Sequence, residues 1–215
     1  MGKFTAIPQN TFDEIQMDAG MLLTNFDPAN PAAPADADIL CATTGGVNIT
    51  CVPTYSDWGE DVDNVPNNMK ELKHLDGWDC GMSFSSISAG GNSIHYALGA
   101  ADVTTLQGTT TSVIKPRRDL EQTDFRDLWW VGDKANGGMV AVKLKNALST
   151  GGFTLQTTKN GKGQISLELT GHVSMSAQTD MPMEFYVAEP VSDGGGGGGG
   201  GDGKGGGGDG KGDGA

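Results

Sequence analysis

The feature that most limits the possible folds is a repeated alternation of apolar and polar residues. Two early runs of this kind have their apolar positions at Val47, Ile49 and Cys51, and at Trp78, Cys80, Met82 and Phe84. Later runs cover 113–115, 128–131, 140–144, 153–155, 165–169 and 173–175. A period of two is typical of a half-buried strand. The sequence therefore predicts a mainly β protein, with about eight strands in antiparallel sheets that pack as a β-sandwich or a barrel-like variant.

Short helices and tight turns are predicted between these strands. TFDE (residues 11–14) is a capping-box spelling, so a short helix is expected there, ended by Gly20. SIHYALG (93–99) has apolar residues at helical spacing and predicts a short helix that flanks the sheets. KNGKG (159–163) predicts a hairpin turn, because Asn-Gly suits the left-handed turn positions. GDKANGG (132–138) joins two strands, which favours a turn over a phosphate loop.

Composition divides the chain into three parts. Residues 192–215 hold 16 of the 35 glycines and no apolar residue larger than alanine. Such a segment cannot bury enough surface to offset its ordering entropy, so a flexible, disordered glycine-rich tail is expected. A proline-rich stretch, FDPANPAAPADAD (26–38), predicts a loose connector. The predicted organisation is an N-terminal arm and linker over 1–38, a sandwich domain over 39–191 and the tail over 192–215.

The charge and the cysteines limit the partners and the compartment. The net charge is −13, of which the tail contributes −2 through four Asp and two Lys. A chain this acidic does not grip nucleic acid by its overall field, although a polyanion could pass it without sticking. Three cysteines without a CxxC pair, no signal peptide and no long apolar run predict a soluble cytoplasmic protein. We expect free thiols and no membrane contact.

An acidic stretch, DWGEDVDNVPNN (57–68), is the first candidate site. Its candidate residues are Asp57, Trp58, Glu60, Asp61 and Asp63. A calcium loop of the EF-hand type fails here, because Gly59 and Asn68 occupy its third and twelfth positions. Carboxylates bunched on one loop rarely face each other as a glycosidase pair does. An irregular cation site and a solvated acidic loop both stay open.

Other catalytic signatures are missing from the sequence. His74, His95 and His172 form no HxxxH or HExxH motif, and no G-x-S-x-G, P-loop or dinucleotide fingerprint occurs. We therefore expect no catalytic, metal or cofactor residues and no enzymatic activity.

A basic cluster, Lys115, Arg117, Arg118 and Arg126, is the second candidate site. It is too small to bind nucleic acid against the acidic background. A contact with the acidic stretch of a neighbouring copy fits better, and scattered surface charge is the open alternative.

Two blocks of sequence carry a family resemblance. The first is VPTYSDWGEDVDNVPNNMKELKHLDGWD (52–79). The second covers 115–175 and includes a strand ending in KNALSTGGF, the turn KNGKG and a strand ending in LTGH. The chain resembles the major tail tube proteins of long-tailed, non-contractile bacteriophages and related prophages. The resemblance covers most of residues 6–188 and does not include the glycine-rich tail.

This resemblance implies a structural protein of the virion tail, assembled in the host bacterial cytoplasm. Subunits of such proteins are β-sandwiches flanked by a helix, and they form hexameric rings that stack into a tube. One sheet of each subunit joins its neighbours in a lumenal barrel, which is typically acidic. The implied partners are further copies of the chain, the tape-measure protein in the lumen, the tail terminator and distal tail proteins, and DNA in transit.

The resemblance also gives the acidic stretch a role. Residues 57 to about 77 lie where an inter-ring loop is expected, so their carboxylates are predicted to contact a neighbouring ring or to face the lumen. A binding module is the main alternative, such as a β-sandwich decoration or carbohydrate-binding domain displayed on a particle. Its ligand platform would be Trp58, Trp78, Trp129 and Trp130. An enzyme that uses the acidic loop is a remote third possibility.

Overall fold

The computed structural model describes residues 7–190 of the chain. Residues 1–6 and 191–215 lie outside this range, and the predicted glycine-rich tail over 192–215 therefore lies outside the described residues.

Within the described range the protein is mainly β. The strands are β1 (Gln16–Leu23), β2 (Ile39–Cys41), β3 (Thr43–Asp57), β4 (Lys73–Ser86), β5 (Ala101–Thr105), β6 (Ser112–Pro116), β7 (Arg126–Lys134), β8 (Met139–Ser149), β9 (Thr154–Gln156), β10 (Gln164–Thr170) and β11 (Met183–Ala188). One α-helix, α1 (Gly91–Leu98), and short 3-10 turns at Gln9–Phe12, Gln122–Asp124 and Met175–Ala177 complete the described elements. The predicted class, mainly β with one short flanking helix, is confirmed.

All strand pairs are antiparallel, and β8 links the two halves of the main sheet. The strand order is β2-β1-β7-β8-β10-β4-β3, with β11 also paired to β8 and β9 to β10. The first part of β8 lies between β7 and β11, whereas Leu148 and Ser149 at its end pair with β10. Strands β5 and β6 form a separate hairpin beside α1.

Side chains from both halves of the sheet meet in one core. Its buried members include Leu22 of β1, Met82 of β4, Leu128 of β7, Leu144 of β8, Leu167 of β10 and Met183 of β11. Strand β10 shows the alternation of a half-buried strand, because Ile165, Leu167 and Leu169 are buried and the residues between them are exposed. The two layers of the predicted sandwich are therefore halves of one continuous sheet.

The N-terminal region differs from the prediction. The helix expected from residue 11 to Gly20 is wrong, because only a 3-10 turn forms and β1 begins at Gln16. Gly20 lies inside this strand with φ of +69°, and a Cβ there would meet the Trp130 ring at 2.6 Å. Residues 16–23 fall within the predicted N-terminal arm, but they pair with β7 and bury Leu22 and Leu23. Pairing with the distant strand β7 therefore determines the structure of this segment, and the local capping-box sequence does not.

The proline-rich connector packs against the body. Phe26 meets Trp129 edge-on, with ring centroids 5.6 Å apart. Leu23, Trp129 and Ala141 form a second buried cluster, on the face of β7 and β8 opposite the main core. The connector therefore covers a sheet face.

Candidate assembly surface

The acidic stretch lies at the tip of a long β-hairpin. Strands β3 and β4 pair continuously from Thr43 and Ser86 to Asp57 and Lys73, with two register shifts. The predicted loop of 57–77 is therefore too long, because β4 already begins at Lys73. The loop itself is only 58–72. A strand pattern interrupted by Gly77 and charged residues hid this part of β4.

The outer part of this hairpin extends beyond the rest of the sheet. Strand β10 pairs with β4 only over residues 81–86, and no other described strand pairs with the hairpin further out. We call residues 52–79 the hairpin arm. The six residues 52–57 alone extend it by roughly 20 Å, at about 3.3 Å for each residue.

One face of the hairpin arm carries an exposed apolar row. Directly opposed residues of an antiparallel pair point to the same face, so the core-facing pair Cys51 and Cys80 is followed outward by Pro53 with Trp78 and by Tyr55 with Leu75. The exposed fractions are 56% for Tyr55, 43% for Leu75 and 38% for Trp78. We call Pro53, Tyr55, Leu75 and Trp78 the arm stripe. It continues the core face of the sheet into solvent.

Asp57 organises the tip of the arm. Its Oδ1 accepts a hydrogen bond from the backbone N–H of Gly59 at 2.9 Å, and its Oδ2 accepts one from Asn68 at 2.8 Å. The pKa of this carboxyl lies below its ordinary value, chiefly because of the Gly59 N–H and then that of Asn68. Asp57 is therefore a structural residue of the loop.

The remaining candidate residues of the acidic stretch face solvent. Glu60, Asp61 and Asp63 are exposed, and Asp61 adopts a left-handed φ of +62°. Trp58 is 67% exposed and stacks on His74, with centroids 4.9 Å apart. Within residues 7–190, no three side chains of the metal-ligating types are grouped so that they could hold an ion. The tip thus presents three carboxylates beside an aromatic ring.

The basic candidate residues divide into two pairs. Arg117 lies within ion-pair distance of Asp102 and Glu121, at 2.9 and 2.7 Å, and also pairs with Asp124. The guanidinium of Arg117 therefore pairs with carboxylates of its own chain. Lys115 and Arg118 are exposed. Of the four basic residues predicted to pair with an acidic neighbour, only Lys115 and Arg118 are therefore exposed. Arg117 and Arg126 are partly buried.

Arg126 is engaged with the helix. Its Nη1 lies 3.0 Å from Nδ1 of His95, and its guanidinium lies over the Tyr96 ring. The pKa of His95 is lowered, first by burial and then by the Arg126 charge. Arg126 therefore holds α1 against β7.

The tryptophans do not form a shared platform. Trp129 is buried, between Phe26 and Tyr186, and Trp130 donates from Nε1 to the carbonyl oxygen of Ala19 at 3.0 Å. Trp58 and Trp78 both lie on the hairpin arm. The four rings named for the binding-module alternative therefore do not share one exposed surface, because Trp129 is buried.

A second exposed apolar row was missed in the sequence. Strand β11 pairs only with β8 among the described residues, and its Phe185 and Val187 are 60% and 64% exposed. The signal was the alternation in MEFYVA (183–188), which predicts a strand but not which face stays uncovered. This open strand edge is a second candidate contact surface.

No protein-family model matches this chain, and no curated protein matches it significantly. Among residues 7–190, no helix is both long and apolar enough to cross a bilayer.

Proposed function

We propose that this chain is a structural subunit that assembles with copies of itself into stacked rings, and that these rings form the tail tube of a long-tailed bacteriophage. The proposal joins the sequence resemblance of residues 52–79 and 115–175 to the geometry of the hairpin arm. No catalytic role is assigned to any residue.

The observation that carries the proposal is the arm stripe. A two-stranded ribbon is marginally stable alone in water, so an arm that exposes Tyr55, Leu75 and Trp78 gains from a partner. Burial of a fully exposed large apolar side chain contributes about 1.5–3 kcal/mol, and these side chains, 38–56% exposed, would gain the corresponding part of it. In stacked identical rings every arm has the same neighbouring surface to bury this row, which makes a second copy the natural partner.

The open strand edges support the same reading. Both β3 and β11 have one unpaired edge within the described part of the chain. Exposed edges invite uncontrolled pairing, and a closed ring of subunits removes them. Phe185 and Val187 on β11 would then be covered by the adjacent subunit of the ring.

The charge of the chain fits a conduit for DNA. A net charge of −13 repels a polyanion, so DNA would pass through a tube of such subunits without sticking. The proposed partners are further copies of the chain in hexameric rings, the tape-measure protein during assembly, the tail terminator and distal tail proteins at the ends, and DNA in transit.

Imaging tests the proposal directly. The purified chain is examined by negative-stain electron microscopy at low and high concentration, beside the double variant Tyr55→Ser/Trp78→Ser. The matched control is Val103→Ser/Leu106→Ser, whose side chains are similarly exposed on the β5–β6 hairpin. Asp57 is left intact in all of them, because its loss would disturb the tip. Circular dichroism of every variant checks that the fold is retained.

We expect rings or tubes with a central channel for the unmodified chain and for the control, and their loss in the arm variant. Rings that form equally well in the arm variant would remove the arm stripe from the assembly contact. Monomers at every concentration, together with specific binding in a glycan screen, would overturn the tube proposal in favour of a displayed carbohydrate-binding module.

A further inference from the structure

Two of the three cysteines lie opposite each other at the root of the hairpin arm. Cys51 of β3 and Cys80 of β4 are directly paired, and their Sγ atoms are 3.0 Å apart. All three cysteines are free thiols, and Cys41 lies on β2, outside the paired strands β3 and β4. The sequence spacing of 29 residues gives no hint of this pairing, because neither cysteine belongs to a CxxC motif.

We propose that Cys51 and Cys80 form an oxidation site, at which a small-molecule disulfide converts the two thiols into a cross-strand disulfide. An S–S bond is about 2.05 Å long, so the sulfur atoms have to approach each other by about 1 Å. Opposed residues on neighbouring strands are close enough for this with a small local adjustment. The inference does not depend on tube assembly.

The two cysteines differ in solvent exposure, and this difference determines which thiol reacts first. Cys51 is half-buried, whereas Cys80 is almost fully buried. The thiolate of Cys51 attacks one sulfur of the small disulfide and expels one thiolate, which leaves a mixed disulfide on Cys51. The thiol of Cys80 then loses its proton and attacks the Cys51 sulfur, and the second small thiolate leaves. Two protein thiols are oxidised and one small disulfide is reduced to two thiols.

The second step should be slow at neutral pH. In the reduced protein the pKa of Cys80 is raised to about 12, chiefly by burial and then by the neighbouring Cys51 thiol. Burial, the larger cause, still acts on Cys80 once Cys51 is a mixed disulfide. The thiolate is the attacking form, so its fraction rises about tenfold for each pH unit below that pKa. A mixed disulfide on Cys51 is expected to persist longer at pH 7 than at pH 9.

The new bond would link β3 and β4 at the base of the hairpin arm, where the pairing of β10 with β4 ends. The Cys51–Cys80 pair lies next to Gly81, the last residue of β4 that pairs with β10. A disulfide at this position closes a loop that contains the whole hairpin arm and restricts the unfolded chain. The melting temperature of the free protein should rise by roughly 5–10 °C on oxidation.

The test incubates the folded full chain with oxidised glutathione and follows its intact mass and its alkylatable thiols after denaturation. We expect the mass to fall by two hydrogen atoms and only one of the three thiols to remain. Cys41→Ser should still lose two hydrogen atoms, and Cys51→Ser should not. Cys51 is the preferred variant because it is less buried than Cys80, so its replacement disturbs the core less.

Three free thiols after prolonged incubation at pH 9 would overturn the proposal. A disulfide that persists in Cys51→Ser but disappears in Cys41→Ser would overturn it too, because Cys41 would then be the partner of Cys80. Oxidation without any rise in the melting temperature would contradict the predicted constraint at the root of the arm.

Discussion

At the scale of single residues, Asp57 has a structural role that the sequence does not distinguish from the surface role of its acidic neighbours. It stands in a run of carboxylates, yet both of its oxygens accept backbone N–H groups inside the loop. Its neighbours Glu60 and Asp63 are exposed. The charge that a partner would meet therefore belongs to those neighbours, while Asp57 sets the shape in which they are presented.

Replacement of Asp57 by alanine should loosen the tip without unfolding the body. The amide protons of Gly59 and Asn68 lose their acceptors, so their hydrogen exchange should accelerate severalfold, as NMR spectroscopy would measure. Asp63→Ala is the matched control and should leave both amides unchanged. Equal protection of the two amides in Asp57→Ala would show that the loop is held by other contacts.

The same site predicts a pH dependence. Because the pKa of Asp57 is lowered in the folded chain, the charged form stabilises the tip at neutral pH. This contribution is present above the ordinary Asp pKa of about 3.9 and is lost as the pH falls through the lowered value. Protection of the Gly59 amide should therefore persist at pH 5 and fail only in stronger acid.

At the scale of elements, the β5–β6 hairpin depends on one arginine. Arg117 follows β6 directly and reaches Asp102 of β5, Glu121 and the buried Asp124. The contacts to Asp102 and Glu121 lie at ion-pair distance without hydrogen-bond geometry. The guanidinium thus compensates a buried carboxylate and connects the hairpin to the 3-10 turn before β7.

Removal of this arginine should be costly. Arg117→Ala leaves the buried Asp124 without its cationic partner and with only the Glu121 N–H donating to it, so the free energy of unfolding should fall severalfold more than in an exposed arginine variant. The adjacent Arg118→Ala removes an exposed charge and should change the free energy of unfolding by less than about 0.5 kcal/mol. Urea denaturation measures both. A similar small effect for the two variants would mean that water reaches Asp124 and replaces the guanidinium.

At the scale of the whole molecule, two forces could bring subunits together, and salt distinguishes them. The chain carries a net charge of −13, so copies repel each other. The arm stripe would attract by apolar burial, which salt does not weaken, whereas pairing of Lys115 and Arg118 with the acidic tip of a neighbour is screened by salt.

Assembly should therefore become easier at high ionic strength. We expect the concentration at which rings first appear to be lower in about 0.5 M salt than in about 0.02 M, as light scattering would follow, because screening relieves the repulsion. Lys115→Ala/Arg118→Ala removes both cations and changes the net charge only from −13 to −15, so it should alter this concentration much less than the arm variant does. Assembly that weakens with salt, and that fails in this charge variant, would show that opposite charges make the contact.

Prediction from the sequence was most successful where structure is locally encoded. The alternation in 47–51 and 78–84 gave the inner parts of β3 and β4, SIHYALG gave α1, and KNGKG gave the turn before β10. The helix predicted over residues 11–20 was wrong because the capping-box sequence stabilises a helix only locally, whereas β1 forms a ladder of hydrogen bonds with β7. The alternation of apolar and polar residues also did not predict the outer part of the β3–β4 hairpin, where both faces are polar or exposed.

What the sequence alone determined was therefore the class of the fold, because apolar alternation depends only on neighbours along the chain. Tertiary structure decided which distant residues meet: Cys51 with Cys80, Arg117 with Asp124, and Phe26 with Trp129. It also decided that the acidic stretch tops a hairpin arm with an exposed apolar row. These outcomes depend on which distant strands become neighbours. The apolar pattern and the turns limit the register of a given pair, but the choice of partner strand depends on long-range packing against the entropy of closing the loops between strands.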